Sequence, residues 1–149
     1  MAEMSKELMD LINEIGYCYW GTASKDGMPN MAIKGSTRAV SPDTIIMGCS
    51  MGKTLKNLQE NPKASVIVYS ALPAEKLQAS LEDFTKISGG QIKGSVSLHT
   101  SDDVHERMIS MLTQRLGPEV AAMTKATVVL KVEEIYSIGL GPEAGKRIA

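Results

Sequence analysis

The amino-acid sequence predicts an α+β, mainly β domain: an antiparallel sheet of six or seven strands, closed as a barrel, with about three helices packed around it. Three observations predict it. The first β-prone runs follow one another through tight turns, Lys25-Asp26-Gly27 and Ser41-Pro42-Asp43, which is how an antiparallel meander is built. Strands and helices do not alternate regularly, as a doubly wound parallel sheet would require. Two segments, one before and one after most of the strands, carry apolar residues at helical spacing.

The elements follow in order. Met4, Leu8, Leu11, Ile12 and Ile15 form one helical stripe, with Ser5 as cap and Gly16 as stop, so a helix is expected over about 5–15. Tyr17 to Ser24 is aromatic and β-prone. Met28 to Ile33 returns as a second strand and is expected to run on to Ala39 or Val40. Thr44 to Cys49 is the third strand, and a short helix with Leu55 and Leu58 inward follows Gly52 and stops at Asn61-Pro62. Ala64 to Tyr69 reads as a central strand. Ala71 to Gly90 reads as irregular at its ends, marked by Pro73, Gly89 and Gly90, with a further strand over Leu81 to Ile87. Gln91 to His99 alternates until Gly94, which predicts a strand with a bulge or close approach at the glycine. Thr100 and Asp103 suggest a capping box opening a last helix, whose face is Val104, Met108, Met111, Leu112 and Leu116 and whose end is Gly117-Pro118. Lys125 to Ile135 is the final strand, and the glycine-rich tail 139–149 is expected to be irregular.

Composition excludes several functions. The 149 residues suffice for one domain with a real core, expected over 1–149. A net charge of −1 lacks the basic face that nucleic acid requires. No apolar run approaches the roughly 20 residues of a membrane span. The polar, partly acidic N-terminus does not read as a secretory signal, so a cytoplasmic protein is expected. Cys18 and Cys49 are far apart and form no metal or redox motif. They read as reduced thiols, and Cys49 as a small core residue. Asp10 and Glu14, four apart on the first helix, carry no sign of a paired-carboxylate hydrolase.

The stretch Thr44 to Pro62 carries the chemistry. A strand meets a small-residue loop, Gly48 to Gly52, and then a helix with Lys53 and Thr54 in its first turn. Backbone N–H groups there lack helical partners and the dipole favours an anion. A lysine charge and a threonine hydroxyl add to both effects. The stretch therefore reads as a phosphate site. It is not a P-loop, because the position that needs glycine is Met47 and Gly48 lies one residue too close to Gly52-Lys53-Thr54. Nor does any strand supply a convincing acidic partner for Mg²⁺.

The ordered set Gly21-Thr-Ala-Ser-Lys-Asp-Gly-Met-Pro-Asn, strand Thr44 to Gly48, Gly52-Lys53-Thr54 with Asn57-Leu58 and Asn61-Pro62, then Ala64 to Tyr69 and Gln91-Ile-Lys-Gly, resembles the FMN-binding split β-barrel family. That family includes pyridoxamine 5′-phosphate oxidase-like proteins and small FMN-binding proteins, and the resemblance spans about Leu8 to Ile138. It implies a homodimer with FMN held between subunits. It implies that Lys53 and Thr54 hold the phosphate, that Cys49 and Ser50 approach the ribityl chain or phosphate, and that Ile33, Lys34 and Gly35 line the flavin ring. A cation such as Lys34 near the ring favours the anionic reduced flavin. The chain departs from the oxidases proper: its second strand, Pro29 to Ser36, has no arginine, and its only tryptophan is Trp20. The implied activity is therefore flavin-dependent oxidoreduction without the vitamin B6 substrate motifs, fed by reduced nicotinamide, NAD(P)H, or another donor. No catalytic residue and no metal ligand is indicated, since hydride transfer needs no protein acid or base and the flavin carries the chemistry. The alternatives are a non-enzymatic FMN carrier or electron-transfer protein, or a barrel holding haem or a deazaflavin. For haem the candidate ligands are only His99 and His105, both expected at the surface.

Overall fold

The protein begins with α1 (Lys6–Ile15), and its start and stop follow from single residues. In this computed structural model, which describes residues 2–70, 80–139 and 142–149, Ser5 Oγ accepts from Leu8 N at 3.2 Å. Gly16 ends the helix with φ 78°, and its N–H returns to Ile12 O. The strands are β1 (Cys18–Ala23), β2 (Pro29–Lys34), β3 (Arg38–Ser41), β4 (Thr44–Ser50), β5 (Lys63–Tyr69), β6 (Gly89–His99) and β7 (Thr124–Tyr136). They form one sheet in the order β2-β1-β5-β6-β7-β4-β3, and every pairing is antiparallel. The sheet curls into an antiparallel split barrel. Its edge strands, β2 and β3, approach at one end but form no ladder with each other among the described residues.

That split corrects one expectation. The run from Met28 was expected to continue to Ala39 or Val40, but β2 ends at Lys34 and β3 starts at Arg38 on the opposite edge. Residues 35–37 make the crossing. Ser36 Oγ accepts from Gly48 N at 2.9 Å and donates to Gly48 O at 3.1 Å, which ties the crossing to β4.

Alternation sorts the β4 side chains. Ile45, Met47 and Cys49 enter the barrel interior with Trp20, Val66, Ile92, Val128 and Leu130. Ile46 points the other way, onto a second apolar cluster of Met108, Leu112 and Ala121. The second cluster exists because α4 (Asp103–Leu116) and α5 (Pro118–Met123) cover the outer face of the sheet there. Removing a side chain such as Leu130 or Ile92 from water stabilises by roughly 1.5–3 kcal/mol each.

Among the described residues the helices number five rather than about three. The α2 helix (Lys53–Glu60) occurs where expected. Leu81 to Ile87, expected as a strand, contains instead the short helix α3 (Leu81–Thr85). Ser80 Oγ accepts from Asp83 N at 3.2 Å while Asp83 Oδ2 accepts from Ser80 N at 2.8 Å, and this reciprocal cap turns the chain helical. The cap of α4 is Asp102 rather than Thr100: its Oδ1 accepts from His105 N at 3.1 Å. Gly117-Pro118 does end α4, but Pro118 then opens α5 from the first helical position, where its missing N–H costs nothing.

The expected irregularity at Gly94 is present: the β6–β7 register shifts between Lys93 and Gly94. The tail expected to be irregular returns to the sheet. Arg147 bridges to Tyr136, and Ile135 N donates to Ala149 O at 3.0 Å. Segment 71–79, including Pro73, lies outside the described residues. Among the described residues no helix is long and apolar enough to cross a membrane.

Candidate functional site

Sheet curvature brings the end of β2 beside the end of β4, and α4 and α5 wall the junction. The result is a cleft of about 240 Å³. Four of the residues singled out in the sequence meet there: Ile33, Lys34, Gly35 and Ser50. Ile33 lies on the outer face of β2 and is 62% exposed. Gly35 leaves its backbone open, with nothing within 4 Å of where a β-carbon would be.

The other three do not line this cleft. Cys49 is fully buried behind it. Burial pushes its thiol pKa up, and the Lys34 charge and hydrogen bond draw it part of the way back. Thr54 is buried under α2, and its hydroxyl accepts from Asn30 Nδ2 at 3.3 Å. Lys53 is exposed at the first position of α2. The residue before it, Gly52, caps that helix without a side-chain hydrogen bond. The N–H groups of this first turn therefore have no side-chain acceptor from the cap.

Residues the sequence did not reveal complete the walls: Ser36 and Gly48 from the barrel, and Leu112, Leu116, Val120 and Met123 from the helices. Gly48 fits closely there. A β-carbon on it would stand 3.1 Å from Leu112 Cδ1 and 3.2 Å from Thr124 Cγ2, so those side chains would have to give by a few tenths of an ångström to admit one. The apolar spacing of α4 was visible in the sequence, but that it would wall a cleft with β2 was not.

Asn57 marks a second polar point beneath α2. It is wholly buried; its Nδ2 donates to Thr22 Oγ1 at 3.1 Å, and its Oδ1 has no partner among the described residues.

Neither histidine lines the cleft. His99 Nδ1 is 2.5 Å from Asp102 Oδ2 and its Nε2 is 2.8 Å from Ser97 Oγ. Those contacts, His99 first and the His105 N–H second, hold the Asp102 carboxyl below its usual range. His105 Nδ1 is 2.9 Å from Thr127 Oγ1. Among the described residues no group of three or more histidine, cysteine, aspartate or glutamate side chains is placed to hold a metal ion.

A flavin mononucleotide fits part of this arrangement. The cleft offers apolar walls, open glycine backbone and an adjacent helix start with a lysine. Its volume falls short of the roughly 300–1,000 Å³ of pockets that enclose a ligand of that size. Its rim leaves Ile33, Met123 (58%) and Leu116 (48%) exposed.

Comparisons with known proteins agree with this architecture. The family description "Pyridoxamine 5′-phosphate oxidase" matches residues 4–139. An uncharacterised protein of Methanocaldococcus jannaschii is 30% identical over 153 residues, which span 100% of this chain and 90% of that protein. Among solved structures, HupZ of Group A Streptococcus aligns with a TM-score of 0.71 at 24% identity, over 95% of this chain and 99% of that one. An FMN-binding protein from Syntrophomonas wolfei subsp. wolfei gives 0.71 at 19%, over 91% and 86%. HutZ, the haem storage protein of Vibrio cholerae, gives 0.67 at 17%, over 95% and 99%. At these identities the structural likeness carries the fold alone, whereas the family match runs through nearly the whole chain, and on that match the protein belongs to the pyridoxamine 5′-phosphate oxidase family.

Proposed function

We propose that this protein binds FMN as a homodimer and works as a flavin-dependent oxidoreductase that accepts hydride from reduced nicotinamide or a similar donor. The observation that carries the reading is the convergence of Ile33, Lys34, Gly35 and Ser50 on one cleft, together with a helix start that presents Lys53 and a cap without a side-chain acceptor. Family membership and the fold shared with an FMN-binding protein support it. Bound FMN would supply the hydride chemistry.

The chain's own residues supply position and charge. Lys53 and the first N–H groups of α2 hold the phosphate. The Gly35 backbone admits the flat ring, and Ile33 and the α4–α5 wall exclude water from it. Lys34, on the wall of the cleft, stabilises negative charge that develops nearby. The undersized cleft with its exposed apolar rim is why a second copy is required to enclose the cofactor. The same chain departs from a vitamin B6 oxidase along β2 and the crossing after it, where Pro29 to Ser36 holds no arginine.

The test is a visible absorption spectrum of the purified protein, followed by denaturation and identification of the released chromophore. Flavin bands with released FMN are expected, along with a dimer by analytical ultracentrifugation. Released haem or deazaflavin would replace the cofactor assignment. A colourless protein that also fails to bind added FMN overturns it.

A further inference from the structure

The underside of α2 is polar where a packed helix is ordinarily apolar. Thr54 and Asn57 lie on one face of the helix, and both are buried, as is Thr22 on β1. Asn57 Nδ2 donates to Thr22 Oγ1 at 3.1 Å, and Asn30 Nδ2 donates to Thr54 Oγ1 at 3.3 Å. Thr22 and Asn30 are direct partners across the β1–β2 ladder. Two neighbouring side chains of one hairpin thus each take hold of one residue of α2.

Stability alone would not select this arrangement. Asn57 is wholly buried, and its Oδ1 has no partner among the described residues. Turning the amide over does not help: Oδ1 would then accept from the Thr22 hydroxyl, and Nδ2 would be left unpaired in its place. A desolvated amide atom without a partner opposes folding. Leu55 and Leu58, buried on the same helix, show that apolar side chains fit beneath it. Directed hydrogen bonds supply what apolar contacts do not, a fixed rotation and register of the helix on the sheet. At α2 that orientation has a use. Its first turn carries Lys53 and the N–H groups without a cap acceptor, while β2 carries Ile33 and Lys34 to the cleft.

We propose that Asn57 with Thr22, and Asn30 with Thr54, are positioning pairs that hold the anion-binding start of α2 at a set distance from the ring-lining strand β2. Asn57 and Asn30 act through the helix they hold. Their role rests on the flavin reading above, since the spacing they set is that between phosphate and ring.

The test titrates FMN, riboflavin and inorganic phosphate into the wild type, the double variant Thr22→Val/Asn57→Leu, Asn30→Ala and Thr22→Ser. The double variant replaces both members of a buried pair, and the orphaned amide atom with them. Its thermal midpoint is therefore expected at or above that of the wild type. Its FMN and phosphate affinities are expected to fall by about tenfold or more, the scale of one charge-assisted hydrogen bond, while riboflavin changes by less than about twofold. Asn30→Ala, at a part-exposed position, is expected to show the same selective loss. Thr22→Ser keeps the hydroxyl and is expected to bind all three ligands as the wild type does. Unchanged FMN and phosphate affinity in both the double variant and Asn30→Ala overturns the proposal. So do equal losses of FMN and riboflavin, which would assign the pairs to folding alone. A wild type that binds phosphate but neither flavin overturns the flavin reading instead, and the phosphate titrations then decide whether the pairs position the helix start.

Discussion

Trp20 Nε1 donates to Thr37 Oγ1 at 3.0 Å, and the same hydroxyl donates to Lys34 O at 2.8 Å. Both side chains are fully buried. One hydroxyl therefore links the only tryptophan, in the barrel core, to the end of β2 at Lys34, where the chain begins to cross the split. Thr37→Val keeps the shape but removes both bonds and leaves a buried indole N–H unpaired. The expected loss is about 1–3 kcal/mol of folding stability, read from urea denaturation by Trp20 fluorescence. Thr37→Ser, which keeps the hydroxyl, should lose less; equal losses for the two would assign the effect to packing instead.

Gly94 sits where β6 changes register against β7, and a β-carbon there would stand 1.9 Å from Lys131 O. The obstacle is backbone, which cannot move without opening the ladder. Gly94→Ala is expected to destabilise by about 3 kcal/mol or more, at the upper end of overpacking changes. Gly35→Ala, at a position with nothing within 4 Å, serves as the control and should leave folding nearly unchanged.

The same two glycines show what the sequence could and could not reveal. Gly94 interrupts a clean alternation, so a bulge was legible there. Gly35 interrupts nothing obvious: the strand from Met28 reads on to Ala39 or Val40, and it is the long-range bonds from Ser36 to Gly48 that hold the crossing from one sheet edge to the other. Local signals likewise found α1, α2 and α4, because apolar spacing and a stop residue suffice. The Leu81 to Ile87 window is too short for its period to decide, and the Ser80–Asp83 cap decided it. Proline at 118 read as a stop although it also starts a helix. The phosphate-binding reading of Lys53 drew on local rules for Thr54 and the loop glycines together with the family resemblance. The cleft was not legible, because its β2, β4 and α4–α5 walls are far apart in sequence.

Asp43 gives a pH dependence whose sign is fixed. Its carboxylate accepts from Ser41 Oγ and Thr44 Oγ1, each at 2.7 Å, with Lys131 Nζ 3.5 Å away. The Ser41 and Thr44 bonds, and then the Lys131 charge, hold its pKa at about 2, against roughly 3.9 for a free aspartate. A depressed carboxylate pKa contributes stability above the unfolded value, lost as pH falls through the folded one. The stability gap between wild type and Asp43→Asn should therefore be constant above about pH 5 and shrink between about pH 4 and 2. Denaturation midpoints across that range measure it, and a gap that stays constant to pH 2 contradicts the assignment.

Lys53 separates a phosphate role from a structural one. It is exposed at the first position of α2 and makes no ion pair among the described residues, so folding does not depend on its charge. Its removal should act only on a ligand that carries a phosphate. Lys53→Ala is expected to weaken FMN by about 1.5–3 kcal/mol, the scale of a hydrogen bond to a charged group. Riboflavin, which has the same ring and ribityl chain but no phosphate, should bind the variant almost as it binds the wild type. Fluorescence-quenching titrations of both ligands give the difference directly. Equal losses for FMN and riboflavin would mean that Lys53 acts through the fold of α2, and the phosphate would then have to be sought elsewhere on the chain.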